Sequence, residues 1–369
     1  TEIRVPVSKG WATFLRSLQE KDKHKGVPKM SEKVPSFDDV IDFNNLYRAY
    51  KSAYSGHGHK NTKQKFKLAA LDGICQIQSR LQNKTYKVSP YSEFVIREPK
   101  ERKIKAGGFV DKIVQHSICD NVLHPTLKTE FLPNNFAGQE DKGTLYGLDW
   151  LRGQMYLAYQ KYGYDCWIVK ADISKFFYTI DHNILKDIIQ YHFQDSDICW
   201  LCELFVDSTE GIGLPLGNQI SQVFAILYLS GLDHFITGEL GVPYYGRYMD
   251  DFYLIVESKE YAKECLRNII GFLDTLHLEV NGKTQIIPFK NGIKFCGFHT
   301  YVTKNGKVIR KLTNDKKRAA KKKYKKMVSL VEKGKLSEEK FKESYESWKN
   351  HISHGNCIKL GFQIDQYVE

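Results

Sequence analysis

The sequence predicts an α+β fold: an antiparallel sheet backed by helices, followed by a helical C-terminal region. Three observations predict it. Apolar runs at Val242–Tyr245 and Phe252–Val256 flank Tyr248-Met249-Asp250-Asp251, which reads as a hairpin with two carboxylates at its tip. A β-branched, aromatic run from Cys166 ends at Asp172, and Asp181 then provides a helix N-cap before Ile184 and Leu185. Ten of the seventeen residues from Arg310 to Lys326 are Lys or Arg among helix formers, with Glu332, Glu338, Glu339, Glu343 and Glu346 following.

Taken in order, residues 1–34 are polar and basic with few strand or helix signals and read as an arm. Asp38 and Asp39 lie at the positive end of an amphipathic helix through Ile41–Tyr47. A Gly/His/Lys loop at 55–63, holding His57 and His59, leads to a helix from Phe66 to Leu81 with apolar residues near helical spacing. Tyr86–Ile96 reads as a strand, Pro125–Gly147 as loop-rich, and about 147–161 as a helix. The Cys199-x-x-Cys202 pair has apolar flanks and no second pair, so a buried helix is expected rather than a metal or redox site. Val223–Leu229 reads as a core helix entered through Gly217 and Ser221-Gln222, with Gln222 equally a helix-start residue.

Composition narrows the function classes. With 369 residues and 42% hydrophobic content, the chain can bury a sizeable core. A net charge of +12 predicts a polyanionic partner with salt-sensitive binding, and 13% aromatics provide faces for stacking on bases. The eight scattered cysteines read as reduced. Neither an apolar signal segment at Thr1–Gly10 nor a membrane-length apolar segment is evident, so a cytoplasmic protein without a membrane partner is expected.

An Asp-Asp turn alone is no more than a solvated hairpin tip. Asp172 changes that balance, because strand, acid and helix beside an acidic hairpin is the layout of a palm domain. Its chemistry is phosphoryl transfer by two cations roughly 3.5–4 Å apart, held by carboxylates from separate strands. Asp172, Asp250 and Asp251 are the candidate catalytic metal ligands for two Mg2+ ions, which Mn2+ can replace.

Six blocks in order carry a family resemblance over roughly residues 90–300. These are Glu98–Ile104 with Asp111–Gln115, Ala171–Phe177, Gly213–Gln222, Tyr248–Asp251, Leu278–Thr284 and Phe295–Phe298. The chain resembles bacterial reverse transcriptases of the group II intron-related lineage. Leu216-Gly217 and Ser221-Gln222 stand where most relatives carry Gln-Gly and Ser-Pro. That variant resembles the enzymes of diversity-generating retroelements and of some antiphage defence systems.

The resemblance implies a right-hand polymerase: basic N-terminal arm 1–34, fingers with a helical extension 35–165, palm 166–300 and helical thumb 301–369. It implies that the Ile173 carbonyl joins the metal shell and that Lys283 acts as general acid toward pyrophosphate. Nucleotide contacts fall to Lys100, Arg102 and Lys103 over the triphosphate, Phe177 against the 2′-hydroxyl, and Leu216, Gly217 and Gln222. Leu216 in place of glutamine would hold the incoming base more loosely and lower fidelity. Phe295, Cys296 and Gly297 form a primer grip, and Lys316, Lys317, Arg318, Lys321, Lys322 and Lys325 follow the nucleic-acid backbone. A solvated charged hairpin around Lys100 and a solvated lysine-rich helix remain alternatives. Trp348, His351, His354, Gly355 and Asn356 resemble the end of a thumb, and no stretch resembles an HNH or RNase H domain.

The implied partners are template RNA, primer or cDNA, dNTPs, a cognate non-coding RNA and a small accessory protein. RNA-templated RNA synthesis, template-independent or protein-primed polymerisation, and a non-catalytic RNA-binding scaffold are the competing functions.

Overall fold

The acidic hairpin forms where aromatic and β-branched residues favour extended chain, and it makes up one side of a sheet. In the computed structural model, which describes residues 34–56, 60–97 and 101–366, β3 (Trp167–Asp172), β4 (Tyr244–Tyr248), β5 (Asp251–Val256) and β6 (Gln285–Pro288) form a four-stranded sheet. Its order is β4-β5-β3-β6, with every pair antiparallel. A second, two-stranded sheet pairs β1 (Ser92–Ile96) with β2 (Arg102–Ala106), and a third runs β7 (Ile293–Phe295), β8 (Phe298–Val302), β9 (Val308–Leu312). Among the described residues the fold is a mixed α+β architecture of antiparallel sheets and many helices. The N-terminal arm falls largely outside the described residues, as do His57, His59 and Lys100.

The chain divides into two compact units. One is drawn from the chain up to Pro133, Ile173–Phe235 and Asn268–Val280, the other from Asn134–Asp172, Ile236–Arg267 and Asn281–Glu369.

In the first unit, α1 (Phe37–Ile41) and α2 (Phe43–Ser55) are separate helices, because Asp42 leaves helical geometry and caps Asn45 N with its side chain at 2.9 Å. The helix expected over 66–81 is likewise two, α3 (Lys60–Leu68) and α4 (Ala70–Gln82). The break at Ala69 lets the Phe66 ring lie where a β-carbon on Gly73 would meet it at 2.7 Å. Phe66 then joins Tyr50 and Phe109 in a ring cluster with centroids 5.3–6.2 Å apart. The α3 helix also takes over the end of the expected 55–63 loop. Tyr86–Tyr91 is irregular rather than strand, since Tyr86 Oη and Ser89 N both donate to the buried Asp111 carboxylate, at 2.6 and 3.2 Å. Asp111 opens helix α5 (Phe109–Ile118), and its carboxylate also accepts from Gly108 N at 3.1 Å. After it come the short α6 (His124–Leu127) and α8 (Phe176–Thr179), then α9 (His182–His192), capped by Asp181, and α10 (Ser196–Val206), which buries both Cys199 and Cys202 as free thiols. α11 (Gln219–Tyr228) and α12 (Ser230–His234) follow. The helical run Gln219–Glu239 is long and apolar enough to cross a membrane, against the expectation that no segment would be. Yet 78% of its apolar window is buried inside the protein, as a core helix requires.

In the second unit, α7 (Thr144–Tyr162) packs on β4, and Trp150 Nε1 donates to Tyr245 O at 3.2 Å. Phe136, Leu151, Met155, Ile168, Tyr253 and Phe295 fill the core on that side. Phe136 fits there because two glycines yield to its ring: a β-carbon on Gly147 would meet it at 2.5 Å, one on Gly246 at 2.7 Å. The basic segment begins as strand, since Arg310–Leu312 close β9; helix α14 starts only at Asn314 and runs to Glu332. Arg310 is the reason: its buried guanidinium donates to Asp149 Oδ1 and His354 O at 2.9 Å, a fixed geometry that a solvated helix face lacks. α15 (Glu338–Ser353) and α16 (Ile358–Asp365) close an aromatic core of Tyr324, Phe341, Tyr345 and Trp348.

Gly246→Ala forces a methyl against Phe136 and the Tyr253 hydroxyl, both 2.7 Å away. Overpacking of this kind should destabilise the protein by about 1–3 kcal/mol. Thermal unfolding checks it: a melting temperature equal to the parent's would show that the core has slack there.

Candidate active site

Strand pairing decides where the three acids go. Asp172, the last residue of β3, is the register partner of Asp251, the first of β5. Tyr248 pairs with Asp251, so Met249 and Asp250 form a two-residue hairpin loop. Met249 adopts φ 56°, a left-handed conformation that costs a non-glycine residue roughly 1–2 kcal/mol. Arg247, fully buried in β4, offsets that cost by donating from Nη1 to Met249 O at 3.0 Å. Its backbone N–H donates to Asn134 O and its carbonyl accepts from Phe136 N–H, each at 2.9 Å.

The Asp250 carboxyl lies against that of Asp172. Burial first, and then the Asp172 carboxylate, raise its pKa above the ordinary range. Lys170 stands two residues before Asp172 and therefore on the same face of β3. Its ammonium pairs with Asp251 Oδ1 and lies 5.3 Å from the centre of the Phe295 ring. Desolvation pulls the Lys170 pKa down to about 8, with Asp172 and Asp250 acting in the opposite direction.

This arrangement fits hard divalent cations: the donors are all carboxylate oxygens, and two of them are crowded without enough positive charge. The third is held by Lys170, and among the described residues no three His, Cys, Asp or Glu side chains are gathered as a ready metal shell. Ile173 begins the second segment of the first unit, where it forms an isolated bridge with Val280. Lys283 is exposed on the turn before β6, its N–H donating to Asn281 Oδ1 at 3.1 Å.

The expected nucleotide-binding residues belong to the first unit. Lys103 and Lys105 extend from β2, Lys103 paired with Glu93 at 2.7 Å, while Arg102 is exposed. Leu216 O accepts from Lys105 N–H at 2.9 Å. Gly217 takes φ 118°, and a β-carbon there would meet Ile104 Cγ2 at 3.0 Å, so hairpin and loop can approach only at a glycine. An open cleft of about 380 Å³ is lined here by Lys103, Lys105, Tyr178, Gly213 and Leu216. Phe177 is half-buried edge-on to Phe176, with centroids 5.8 Å apart, and Gln222 is exposed on α11.

In the second unit, Cys296 and Gly297, with φ 45° and 83°, make the two-residue turn between β7 and β8. Phe295 packs against Tyr253 at 5.2 Å, and burial pushes the Cys296 thiol up to about 12. Of the basic residues of α14, Lys317, Arg318 and Lys321 line a cleft of about 450 Å³ with Lys311 and Lys359; Lys316, Lys322 and Lys325 lie outside that lining and are exposed.

A family model described as reverse transcriptase (RNA-dependent DNA polymerase) matches residues 109–300, just over half of the chain. The chain belongs to the reverse transcriptase family. Members generally use divalent metal ions, and the reverse transcriptase domain spans all three aspartates. Among solved structures, the chain is similar to telomerase from Candida albicans in complex with a TWJ fragment of telomeric RNA. That match has 13% identity and a TM-score of 0.48, covering 64% of this chain and 46% of that one. It is also similar to apo telomerase from Candida tropicalis truncated from its C-terminal domain (13%, 0.46, covering 65% and 60%), and to the apo enzyme of that organism (16%, 0.43, covering 62% and 52%). The chain thus spans about half the length of these telomerases. No curated protein matches it.

Sequence reasoning missed Lys170 and Arg247. Each had a signal: a charged residue within an otherwise uncharged stretch of strand, two or three positions before an aspartate. Arg247→Met removes the donor to Met249 O while keeping the length of the side chain. Loss of a charge-assisted hydrogen bond should lower kcat for primer extension roughly tenfold or more. Arg247→Lys should recover part of it; equal rates in all three proteins would show that the turn holds itself.

Proposed function

We propose that this chain copies an RNA template into DNA, with Asp172, Asp250 and Asp251 holding two Mg2+ ions, or Mn2+ in their place. The observation that carries the reading is the Asp172–Asp251 register pair with Asp250 crowded against Asp172. Two such ions, when bound, supply charge neutralisation for in-line phosphoryl transfer. The Ile173 carbonyl completes the shell. Lys283, exposed beside β6, gives a proton to the departing pyrophosphate. Lys100, Arg102 and Lys103 hold the triphosphate, with arginine suited to bidentate contact. Phe177 excludes a 2′-hydroxyl, Leu216, Gly217 and Gln222 border the incoming nucleotide, and Phe295–Gly297 steadies the primer.

In this reading residues 35–165 are the fingers, 166–300 the palm and 301–369 the thumb, whose α14 lysines follow the template–primer backbone in the cytoplasm. The lineage is that of group II intron-related enzymes, in a diversity-generating retroelement or an antiphage defence system. Leu216-Gly217 and Ser221-Gln222 support that placement. A cognate non-coding RNA and a small accessory protein are the expected partners. Sequencing RNA that co-purifies with the chain separates the two settings, a template repeat marking the first and a structured RNA the second.

Purified protein is given a primed RNA template with all dNTPs, each dNTP alone, or rNTPs. Extension that follows the template with dNTPs is the expected result; untemplated addition would favour a terminal transferase, and rNTP use an RNA polymerase. Asp250→Asn should abolish extension while the chain still folds, as seen by circular dichroism, and full extension by that variant rules out the metal-ligand assignment. Phe177→Ala should raise ribonucleotide incorporation roughly tenfold or more relative to dNTP, the scale of one removed steric clash of 1.4 kcal/mol. An unchanged ratio removes the sugar gate.

A further inference from the structure

One ammonium group faces all three acids. Lys170 Nζ pairs with Asp251 Oδ1 and interacts electrostatically with both Asp172 and Asp250. Lys170 is largely buried on the inner strand β3, between β5 and β6, with its ammonium over the Phe295 ring. An exposed pair of this kind would contribute little, but a part-buried one beside the crowded Asp172 and Asp250 carboxylates answers a real need, because like charges held together with no cation are unfavourable. The lysine therefore supplies positive charge where a divalent ion would supply it.

The two cations cannot share the same oxygen. A metal that takes Asp251 must displace the ammonium, and a lysine left in place repels it. Lysine suits this exchange because its charge sits at the end of a flexible four-carbon stem with no fixed fork geometry. The face of Phe295, already 5.3 Å away, offers a displaced ammonium a resting place.

We propose that Lys170 is a built-in counter-cation that occupies Asp251 in the metal-free enzyme and is displaced when a divalent ion binds. The proposal rests on the reading of the aspartates as metal ligands. It makes metal loading an exchange of cations rather than the filling of an open shell. The opposite role, a lysine that positions Asp251 for the metal, predicts the reverse sign on removal.

The full chain, stripped with EDTA, is titrated with Mn2+ while free Mn2+ is followed by electron paramagnetic resonance, and thermal unfolding is recorded with and without the ion. Wild type is compared with Lys170→Met, Lys170→Gln and Asp250→Asn. Removing the competing charge should tighten Mn2+ binding roughly tenfold in both lysine variants, as expected for the loss of one short-range charge interaction. Their melting temperatures should fall without metal and recover with it. Unchanged or weaker binding in both variants overturns the proposal. So does failure of both to fold in saturating Mn2+, since the ion should replace the missing charge. If Asp250→Asn binds Mn2+ as the wild type does, the metal-ligand assignment itself is wrong; if Asp250→Asn loses binding while the lysine variants match wild type, only the exchange fails.

Discussion

Pairing of β3 with β5 in one register is the constraint on which the site depends, because side chains alternate across a strand with a period of two. A slip of one residue would turn Asp172 to the opposite face from Asp251 and carry Lys170 with it. The core fixes the register: Ile168 pairs with Ile255 and Val169 with Leu254, all four fully buried. The apolar residues of these strands thus act on the acids indirectly, through the packing that holds the strands in this alignment.

Burying like charges is the cost that this alignment imposes. Burial, and then the neighbouring Asp172 carboxylate, raise the Asp250 pKa, while Lys170 pairs with Asp251. The strained Met249 conformation adds to it, and the buried Arg247 guanidinium holds the loop in that shape. Local rules of propensity and charge are thus broken together at this hairpin loop.

Much of this was legible in the sequence because the signals were periodic or positional. The acidic hairpin, the strand ending at Asp172, the Asp181 cap and the buried Cys199-Cys202 helix all follow from alternation, N-cap chemistry and apolar flanks. What sequence could not supply were contacts between distant segments. The helix break at Ala69 follows from Phe66 seeking Tyr50 and Phe109, and the strand at Arg310 from partners at Asp149 and His354. Lys170 and Arg247 escaped for the same reason: their importance lies in what they touch across the sheet, not in their neighbours along the chain.

The segment Asn134–Phe136 does more than deliver an aromatic ring to the core. β4 borders the four-stranded sheet, so its outer backbone groups have no neighbouring strand in that sheet. At Arg247 that segment satisfies both the free amide and the free carbonyl. Bare sheet borders invite other chains to add themselves. This short tether thus serves as a guard rail, keeping the acid-bearing sheet from growing by self-association at the point where its acidic loop begins.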